Sequence, residues 1–211
     1  MVAPRRYGPT MLRALAEVVF PATCPGCGGR GEPVCAGCAR TIRRASSAPP
    51  PVGVDALHVP FAYTGVVREL TARAKYRQRH AALAWLASEV TGTLAAVDVD
   101  VVTWAPTTVA RRRARGFDQA EVLADAVAAA LERPCASVLR RVGRDHQTGH
   151  SRAERIGAPA FEVTAPARVA ARRVLVVDDV VTTGATLRAA ATALRGAGAT
   201  RVEAAAVARR A

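Results

Sequence analysis

Residues 174–186 constrain the fold of this chain more than any other stretch of it. Residues 174–177 are apolar and mostly β-branched, which is typical of a fully buried parallel strand. Asp178 and Asp179 follow at the predicted carboxyl end of that strand. A turn of sequence Thr-Thr-Gly-Ala-Thr then leads into a predicted helix at residues 187–194. The run therefore predicts one strand–turn–helix unit of an α/β domain.

The turn in this run has the chemistry to hold a sugar phosphate. A helix N-terminus presents free N–H groups and the positive end of a dipole to an anion. Gly184 allows a close approach of the backbone, and the hydroxyls of Thr182, Thr183 and Thr186 can donate hydrogen bonds. The two carboxylates would repel a phosphate, but they can accept hydrogen bonds from vicinal sugar hydroxyls, directly or through a divalent metal and water. We predict a ribose 5-phosphate site; the alternative is a generic unit whose aspartates only cap the helix.

Strand and helix patterns alternate along the rest of the chain. Predicted strands cover residues 57–63, 99–104 and 202–207, and predicted helices cover residues 66–79, 81–94 and 117–131. This alternation predicts a parallel sheet with right-handed crossovers, in which ligands bind beyond the carboxyl ends of the strands. Residues 103–108 should then lie near the acidic pair. Residues 140–160 are polar without periodicity and predict a long loop.

Four cysteines near the N-terminus form two Cys-x-x-Cys knuckles, Cys24/Cys27 and Cys35/Cys38. Four thiolates give a closed tetrahedral zinc site of the structural type. Disulfides and a redox pair are the alternatives; a reducing compartment disfavours the first, and two matched knuckles so close together disfavour the second. Because the surrounding forty or so residues show no core of their own, we expect the metal to supply the folding energy. The remaining cysteine, Cys135, is predicted to be a buried strand residue.

The chain carries a formal charge of +13 over 211 residues, and Lys75 is its only lysine. A basic surface attracts phosphates, either of a small substrate or of nucleic acid. Arg40, Arg43 and Arg44 follow the second knuckle and are either a solvated basic linker or a contact for a partner.

The N-terminal segment does not predict a membrane anchor. Apolar residues at 11–20 are interrupted by Arg13 and Glu17, and their spacing fits an amphipathic helix better than a signal peptide. No apolar run reaches the 18 residues of a membrane-spanning helix, so we expect a cytoplasmic protein without membrane insertion. Residues 46–56 are rich in Ser and Pro and predict a linker between a small module at 1–45 and the main domain at 57–211.

Several motifs together resemble one protein family. The run 174–186 matches the phosphoribosyl-pyrophosphate (PRPP) signature of type I phosphoribosyltransferases at every position. Lys75-Tyr76, the Arg-Gly-Phe-Asp-Gln-Ala run at 115–120 and the Gln-Thr-Gly-x-Ser-x-x-x-Arg run at 147–155 resemble further motifs of one branch. With the cysteine knuckles in front, the chain from about Leu12 onward is similar to the ComF family of competence or amidophosphoribosyltransferase-like proteins.

The chain departs from the pattern of this family at three points. Asp118 stands where the family often has Asn, and His150 stands where Leu is usual. The Asn that commonly follows the position of Arg155 is not found. These departures affect the chemistry expected of the loop at 140–160 rather than the fold.

The resemblance implies a Rossmann-like, parallel-sheet phosphoribosyltransferase domain with a cap at about residues 57–98, a hood loop at about 140–160 and an N-terminal zinc ribbon. It implies a reaction in which a nucleophile displaces magnesium-bound pyrophosphate from PRPP, so Zn²⁺ and Mg²⁺ are the expected cofactors. The implied PRPP-binding residues are Asp178, Asp179, Val180, Thr182, Thr183, Gly184, Ala185 and Thr186. Pyrophosphate is expected at Thr107, Arg111 and Arg115, and the catalytic set is Asp178, Asp179 and Arg115.

Three functional hypotheses remain open at this level. The first is transfer of phosphoribosyl to an unidentified acceptor. The second is a PRPP- or nucleotide-binding module without turnover that serves DNA uptake or regulation, with single-stranded DNA as a partner, although aromatic residues for base stacking are only 4% of the chain. The third is an unrelated α/β phosphate binder. Neither the acceptor nor the oligomeric state can be read from the sequence.

Overall fold

A central parallel β-sheet organises the chain in the computed structural model, which describes residues 23–30, 33–74, 80–142 and 159–210. Its strands are β1 (Ala56–His58), β2 (Phe61–Ala62), β3 (Val101–Trp104), β6 (Arg173–Val181) and β7 (Arg201–Arg209). The strand order is β1–β7–β6–β3, and β2 pairs with β7 beyond β1. All of these pairings are parallel. Two further strands, β4 (Leu139–Val142) and β5 (Ala160–Val163), form a separate antiparallel pair.

Helices cover both faces of this sheet. The described helices are α1 (Ala36–Ala39), α2 (Gly65–Arg73), α3 (His80–Gly92), α4 (Val109–Arg115), α5 (Gln119–Ala130) and α6 (Ala185–Gly196), with a 3₁₀ turn at Pro166–Arg168. Buried residues of α2, α3 and α5 share one hydrophobic core, and those of α6 and the β4–β5 pair share the other. None of the described helices is long and apolar enough to cross a membrane.

Strand β6 shows why the sheet is buried on both faces. Leu175 and Val177 belong to the core beneath α2, α3 and α5, whereas Val174 and Val176 belong to the core beneath α6. All four side chains are at most 1% exposed. A strand packed on both faces needs apolar residues at consecutive positions, which is the pattern that the sequence shows.

The predicted α/β architecture with a parallel sheet is confirmed, with shifts at the element ends. The strand predicted at 174–177 continues to Val181, so Asp178 and Asp179 lie within β6 rather than after it. The predicted helix at 187–194 begins two residues earlier, at Ala185. The helix predicted at 66–79 is observed as Gly65–Arg73, and residues 75–79 lie outside the described residues.

Two predicted segments take a different form. The strand expected in a cap at 57–63 is split into β1 and β2, and both pieces pair with β7 in the central sheet. The ends of the stretch at 140–160, predicted to be a loop, are strands, β4 and β5, and residues 143–158 lie outside the described residues. Cys135, predicted to be a buried strand residue, is half-buried and makes one isolated parallel bridge with Val102. The predicted N-terminal helix at 11–20 also lies outside the described residues.

The cysteine-bearing segment packs against the main domain instead of standing apart. Val34 is 7% exposed and belongs to the core of α2, α3 and α5, against which Cys38 and Ile42 also pack. Arg44 makes an antiparallel bridge with Phe61, and its guanidinium lies 5.1 Å from the centre of that ring. This segment therefore shares the core of the main domain.

The segment predicted to be a linker, 46–56, is also part of the folded domain. Val54 is 6% exposed within the core of α6. Asp55 accepts a hydrogen bond of 2.8 Å from the backbone N–H of Val202 and one of 2.6 Å from the guanidinium of Arg195. This segment therefore connects the cysteine-bearing end of the chain to the sheet and to α6 through fixed contacts.

Candidate functional site

An acidic pair lies at the carboxyl end of β6, in the middle of the sheet. Asp178 stands opposite Ala206 of β7, and the end of β3 is tied to β6 by a 3.0 Å hydrogen bond from the N–H of Ala105 to the carbonyl of Val177. Because the neighbouring strands are parallel, their carboxyl ends meet at this edge. The acidic pair thus lies beside the loop that follows β3, as the sequence predicts.

Both carboxylates of the pair accept backbone hydrogen bonds. The N–H of Asp179 donates to Asp178 at 2.8 Å, and the N–H of Val180 donates to Asp179 at 2.7 Å. Burial, followed by the charge of Asp179, raises the pKa of Asp178 well above its ordinary value of 3.8. Burial removes water that would stabilise the charged carboxylate. A partner that supplies hydroxyl donors or a cation stabilises the charged form in its place. The pair is therefore suited to bind a diol or a divalent metal.

The turn after β6 is shaped by one glycine. Gly184 has φ +74°, in the left-handed region, and it caps the N-terminus of α6. A Cβ at this position would lie 2.7 Å from Cγ of Pro51, so the predicted linker closes on the turn. Thr182 and Thr183 are exposed, and the first N–H groups of α6 have no intrahelical acceptor. These groups together form an open cradle for an anion.

The loop after β3 is held by Asp118, one of the positions at which the chain departs from the pattern of the family that it resembles. One carboxylate oxygen of Asp118 accepts a 2.8 Å hydrogen bond from the N–H of Thr107. The other accepts a 3.1 Å bond from the N–H of Ala120 and caps α5. Asp118 is only 3% exposed. A single buried carboxylate thus fixes the Thr107 turn to the start of the next helix, a role that sequence reasoning did not identify.

Two predicted arginines lie on α4, directly after this turn. Thr108 caps α4 by accepting a 3.3 Å hydrogen bond from the N–H of Arg111, and Gly116 ends the helix with φ +77°. Arg111 is exposed and Arg115 is half-buried. The structure therefore brings a cationic helix to the edge of the sheet that carries the acidic pair.

A third arginine, Arg141 of β4, belongs to this region and was not identified from the sequence. Its guanidinium lies 5.6 Å from the ring centre of Phe161, its partner on β5. Burial and then the charge of Arg111 lower the pKa of Arg141, while the charge of Asp178 opposes that shift. Strand β4 overlaps the start of the polar stretch at 140–160, whose lack of periodicity predicts a loop and not a strand.

The predicted PRPP and pyrophosphate residues lie along one edge of the sheet, although their roles stay predictions. The edge carries the end of β6, the turn after it, the first turn of α6, the Thr107 turn and α4. Lys75, His146, Gln147, His150, Ser151 and Arg155 lie outside the described residues.

The four knuckle cysteines form a separate cluster on the face of α2. Their sulfur atoms all lie within 4.8 Å of one another, and the sulfurs of Cys27 and Cys35 are 3.6 Å apart. Four sulfurs bound to one Zn²⁺ at about 2.3 Å would be separated by about 3.8 Å. All five cysteines of the chain are free, so the disulfide alternative is not observed. The residues present fit a tetrahedral metal site.

The local backbone supports this cluster. A Cβ on Gly26 would lie 2.6 Å from the sulfur of Cys38, so the first knuckle can close on the second only with glycine there. Burial opposes ionisation of Cys24, but N–H groups of Cys35, Cys27 and Gly26 lower its pKa to about 6. Hydrogen bonds with Cys24 and Cys35 raise the pKa of Cys38 to about 12. Four crowded thiols cannot all ionise without a cation between them, which a metal ion supplies.

Comparison with known proteins agrees with these features. Residues 118–211 match the family model of the phosphoribosyl transferase domain. The chain is 28% identical over 137 residues to the competence protein ComFC of Bacillus subtilis, and this match covers 64% of the chain and 55% of ComFC. The match thus spans only about half the length of that relative.

Two enzymes are among the solved structures with similarity to part of the chain. One is a glutamine PRPP amidotransferase from B. subtilis in complex with ADP and GMP, with 25% identity, a TM-score of 0.42, and coverage of 65% of this chain and 26% of the other. Another is an adenine phosphoribosyltransferase from Thermoanaerobacter pseudethanolicus, with 14% identity, a TM-score of 0.43, and coverage of 61% and 80%.

Proposed function

We propose that the chain binds magnesium-PRPP and transfers the phosphoribosyl group to an acceptor. The premise is that the chain is a ComF-family, phosphoribosyltransferase-like protein with a four-cysteine cluster at its N-terminal end. The acceptor is a nucleophile that attacks the anomeric carbon of the ribose. The bond from that carbon to pyrophosphate breaks as the bond to the nucleophile forms, and pyrophosphate leaves with the bonding electron pair. The proton of the nucleophile is released to solvent or to a neighbouring base.

One observation carries this proposal: an acidic pair and an anion cradle follow one another on β6 and α6, at the edge where the Thr107 turn also lies. Asp178 and Asp179 are suited to hold the two ribose hydroxyls. The turn containing Gly184 is suited to hold the 5-phosphate through backbone N–H groups.

The protein would contribute positioning and electrostatic stabilisation. Positive charge develops on the sugar and negative charge on the leaving pyrophosphate, so cations near the leaving group lower the barrier. Thr107, Arg111 and Arg115 are the proposed contacts for pyrophosphate. The carboxylates of the acidic pair suit the oxygen-ligand preference of Mg²⁺, which would neutralise the charge of the leaving group when bound with PRPP.

The decisive experiment is a calorimetric titration of metal-loaded protein with magnesium-PRPP. We expect micromolar binding by the wild type and at least a hundredfold weaker binding by the double variant Asp178→Ala/Asp179→Ala. The matched control is Asp98→Ala/Asp125→Ala, which removes two exposed carboxylates away from this edge. Equal affinities of the wild type and the acidic-pair variant would overturn the proposal. Release of pyrophosphate in the presence of candidate acceptors then identifies the acceptor.

A second function, binding of single-stranded DNA without turnover, is favoured by one surface feature. Arg40, Arg43 and Arg44 follow the cysteine cluster and are all exposed. A relative that carries the name competence protein makes DNA uptake a reasonable context. If DNA binds here, its affinity should fall steeply with rising salt and survive substitution of the acidic pair. Absent or salt-insensitive binding removes this second function.

We further propose that the cysteine cluster holds structural zinc and that the protein works in the cytoplasm. Four thiolate ligands leave no open coordination position for chemistry, which defines a structural site. Free cysteines persist in a reducing compartment, whereas an oxidising one would favour disulfides.

A further inference from the structure

We propose that residues 46–55, which we call the strap, hold the turn after β6 in its binding conformation, with Pro51 as the positioning residue. The sequence marks this segment only as a linker between the cysteine-bearing end of the chain and the main domain. The inference deepens the proposed function and rests on it, since it takes that turn as the cradle of the 5-phosphate. It makes one half of the ligand site depend on a segment that arrives from the cysteine cluster.

Backbone hydrogen bonds fix both ends of the strap to the central sheet. Just before the strap, the N–H of Ala45 donates to the carbonyl of Pro60 at 3.1 Å. At its far end, the N–H of Asp55 donates to the carbonyl of Val202 at 2.8 Å. Between these anchors lie three consecutive prolines, at 49–51, whose rings fix φ and favour an extended, stiff backbone. The strap is therefore a short crossing between two held points and not a free linker.

The second half of the strap contacts helix α6 at both of its ends. A Cβ on Gly184, the N-cap of α6, would lie 2.7 Å from Cγ and 3.1 Å from Cβ of Pro51, so the proline ring fills the space beside this glycine. Near the other end of the helix, the guanidinium of Arg195 donates to the carbonyl of Gly53 at 2.9 Å and to the carboxylate of Asp55 at 2.6 Å. The strap thus braces the helix whose N-terminus forms the cradle.

The turn needs such a neighbour because a glycine alone does not fix its shape. Glycine populates positive and negative φ about equally, so other conformations would point the N–H groups of the turn elsewhere. In the observed shape, Gly184 has φ +74° and its carbonyl accepts the N–H of Arg188 at 2.9 Å. The hydroxyl of Thr183 accepts the N–H of Ala185 at 3.3 Å. The ring of Pro51 favours this one shape before a ligand arrives, and preorganisation of this kind raises affinity without adding a contact to the ligand.

The strap should act on one end of the ligand only. The turn proposed for pyrophosphate follows β3 and is held by the carboxylate of Asp118, which accepts the N–H of Thr107 at 2.8 Å. The cradle proposed for the 5-phosphate follows β6 and is held by Pro51. Loss of the Pro51 ring should therefore weaken binding of ribose 5-phosphate and spare binding of pyrophosphate, whereas a general loss of stability would weaken both.

The test measures ribose 5-phosphate and inorganic pyrophosphate binding by calorimetry for wild type, Pro51→Ala and the matched control Pro50→Ala. Alanine at 51 removes the ring carbon nearest to Gly184, whereas Pro50 is exposed. We expect Pro51→Ala to bind ribose 5-phosphate about fivefold more weakly and pyrophosphate within about twofold of the wild type. Pro50→Ala should match the wild type for both ligands. Pro51→Val, which keeps carbon atoms beyond Cβ, should restore most of the lost affinity.

A second measurement reports on the turn without any ligand. Because the N–H of Arg188 is bonded to the carbonyl of Gly184, its hydrogen exchange follows local opening of the turn. We expect this amide to exchange severalfold faster in Pro51→Ala than in the wild type, and at the wild-type rate in Pro50→Ala.

Four results would overturn the role of the strap. They are an unchanged affinity of Pro51→Ala for ribose 5-phosphate, an equal loss for pyrophosphate, an equal loss in Pro50→Ala, and a Pro51→Val variant as weak as Pro51→Ala. If the wild type binds neither ligand, the proposed function fails independently. Exchange at Arg188 then decides the matter alone, and an unchanged rate in Pro51→Ala rejects the strap.

Discussion

At the scale of single residues, Gly184 carries two separate constraints. Its φ of +74° lies in a region where a Cβ is strained, and Pro51 occupies the space that a Cβ would need. At Gly53 and Gly198, which also have positive φ, the nearest atoms to such a Cβ lie at 3.5 and 3.6 Å, against 2.7 Å at Gly184. The glycine therefore fixes the shape of the turn and, through Pro51, the position of the segment that leads to the cysteine cluster.

We predict that Gly184→Ala lowers the free energy of unfolding by more than about 1 kcal/mol, since left-handed φ alone costs an alanine about that much. It should also abolish detectable PRPP binding because the turn must shift. The matched control is Gly196→Ala, at the end of the same helix, where nothing lies within 4 Å of the new Cβ. Urea unfolding and calorimetry measure both effects; equal behaviour of the two variants would contradict the prediction.

Asp178 gives a pH dependence whose sign follows from its environment. Burial and the charge of Asp179 raise its pKa in the folded state, so the folded protein holds this proton more tightly than the unfolded chain does. The contribution of Asp178 to stability is then most favourable below the ordinary pKa of 3.8 and is lost as pH rises toward the raised value.

We therefore expect Asp178→Asn to melt at a higher temperature than the wild type at neutral pH, and the difference to shrink as pH falls toward 4. The amide oxygen can still accept the N–H of Asp179, so the geometry of β6 is retained. Thermal melts between pH 4 and 8 measure this. A variant less stable than the wild type at pH 7 would show that the carboxylate stabilises the fold.

How far the sequence predicts the site differs from residue to residue. The acidic pair, the threonines and Gly184 were readable because they are contiguous and their spacing is set by one strand and one helix. Asp118 and Arg141 were missed as site residues. Thr107, the partner of Asp118, and Phe161, the partner of Arg141, belong to other elements, and only the folded chain brings each pair together.

At the scale of elements, the two carboxylate oxygens of Asp118 connect the loop after β3 to helix α5 through hydrogen bonds. Each oxygen accepts one backbone N–H, from Thr107 and from Ala120. An asparagine at this position would have one acceptor oxygen and could keep only one of these bonds. The carboxylate here thus makes the proposed pyrophosphate turn and the helix a single unit.

We predict that Asp118→Ala lowers the free energy of unfolding by about 2 kcal/mol, from the lost helix cap and the unpaired N–H of Thr107. It should also weaken PRPP binding more than ribose 5-phosphate binding, because the loosened turn is the one assigned to pyrophosphate. Asp125→Ala, at an exposed position of the same helix, is the control and should change neither. Loss of stability with unchanged PRPP affinity would separate Asp118 from the ligand site.

The local periodicity of apolar residues predicts the long strands and helices. It does not predict short strands that form only by pairing with a distant part of the chain. Strand β6 and helix α6 follow from periodicity within one window. Strands β1 and β2 are short and gain their structure from β7, some 150 residues later in the chain. Strands β4 and β5 pair with each other although residues 143–158 separate them in the sequence. Neither strand shows the alternation of apolar and polar residues that would predict it on its own.

At the scale of the whole molecule, one continuous set of contacts runs from the cysteine cluster to the phosphate turn. Val34, Cys38 and Ile42 pack against the core of α2, α3 and α5. Backbone hydrogen bonds of 3.0 and 3.1 Å then tie Arg43 and Ala45 to residues 60–62. Pro51 closes on Gly184, and Asp55 binds Arg195 of α6. The cysteine-bearing segment is thus continuous with the fold rather than tethered to it.

This continuity predicts the effect of removing the metal. A chelator should lower the melting temperature of the whole chain in one transition, because the segment shares its core with the main domain. PRPP binding should weaken with it, since the same segment positions Pro51 against the phosphate turn. Cys24→Ser should reproduce both effects and reduce bound zinc well below one ion per chain, whereas Cys135→Ser, outside the cluster, should retain the metal. A separate low-temperature transition with unchanged PRPP affinity would mean that the cysteine cluster folds on its own and that its contacts with the main domain transmit nothing to the ligand site.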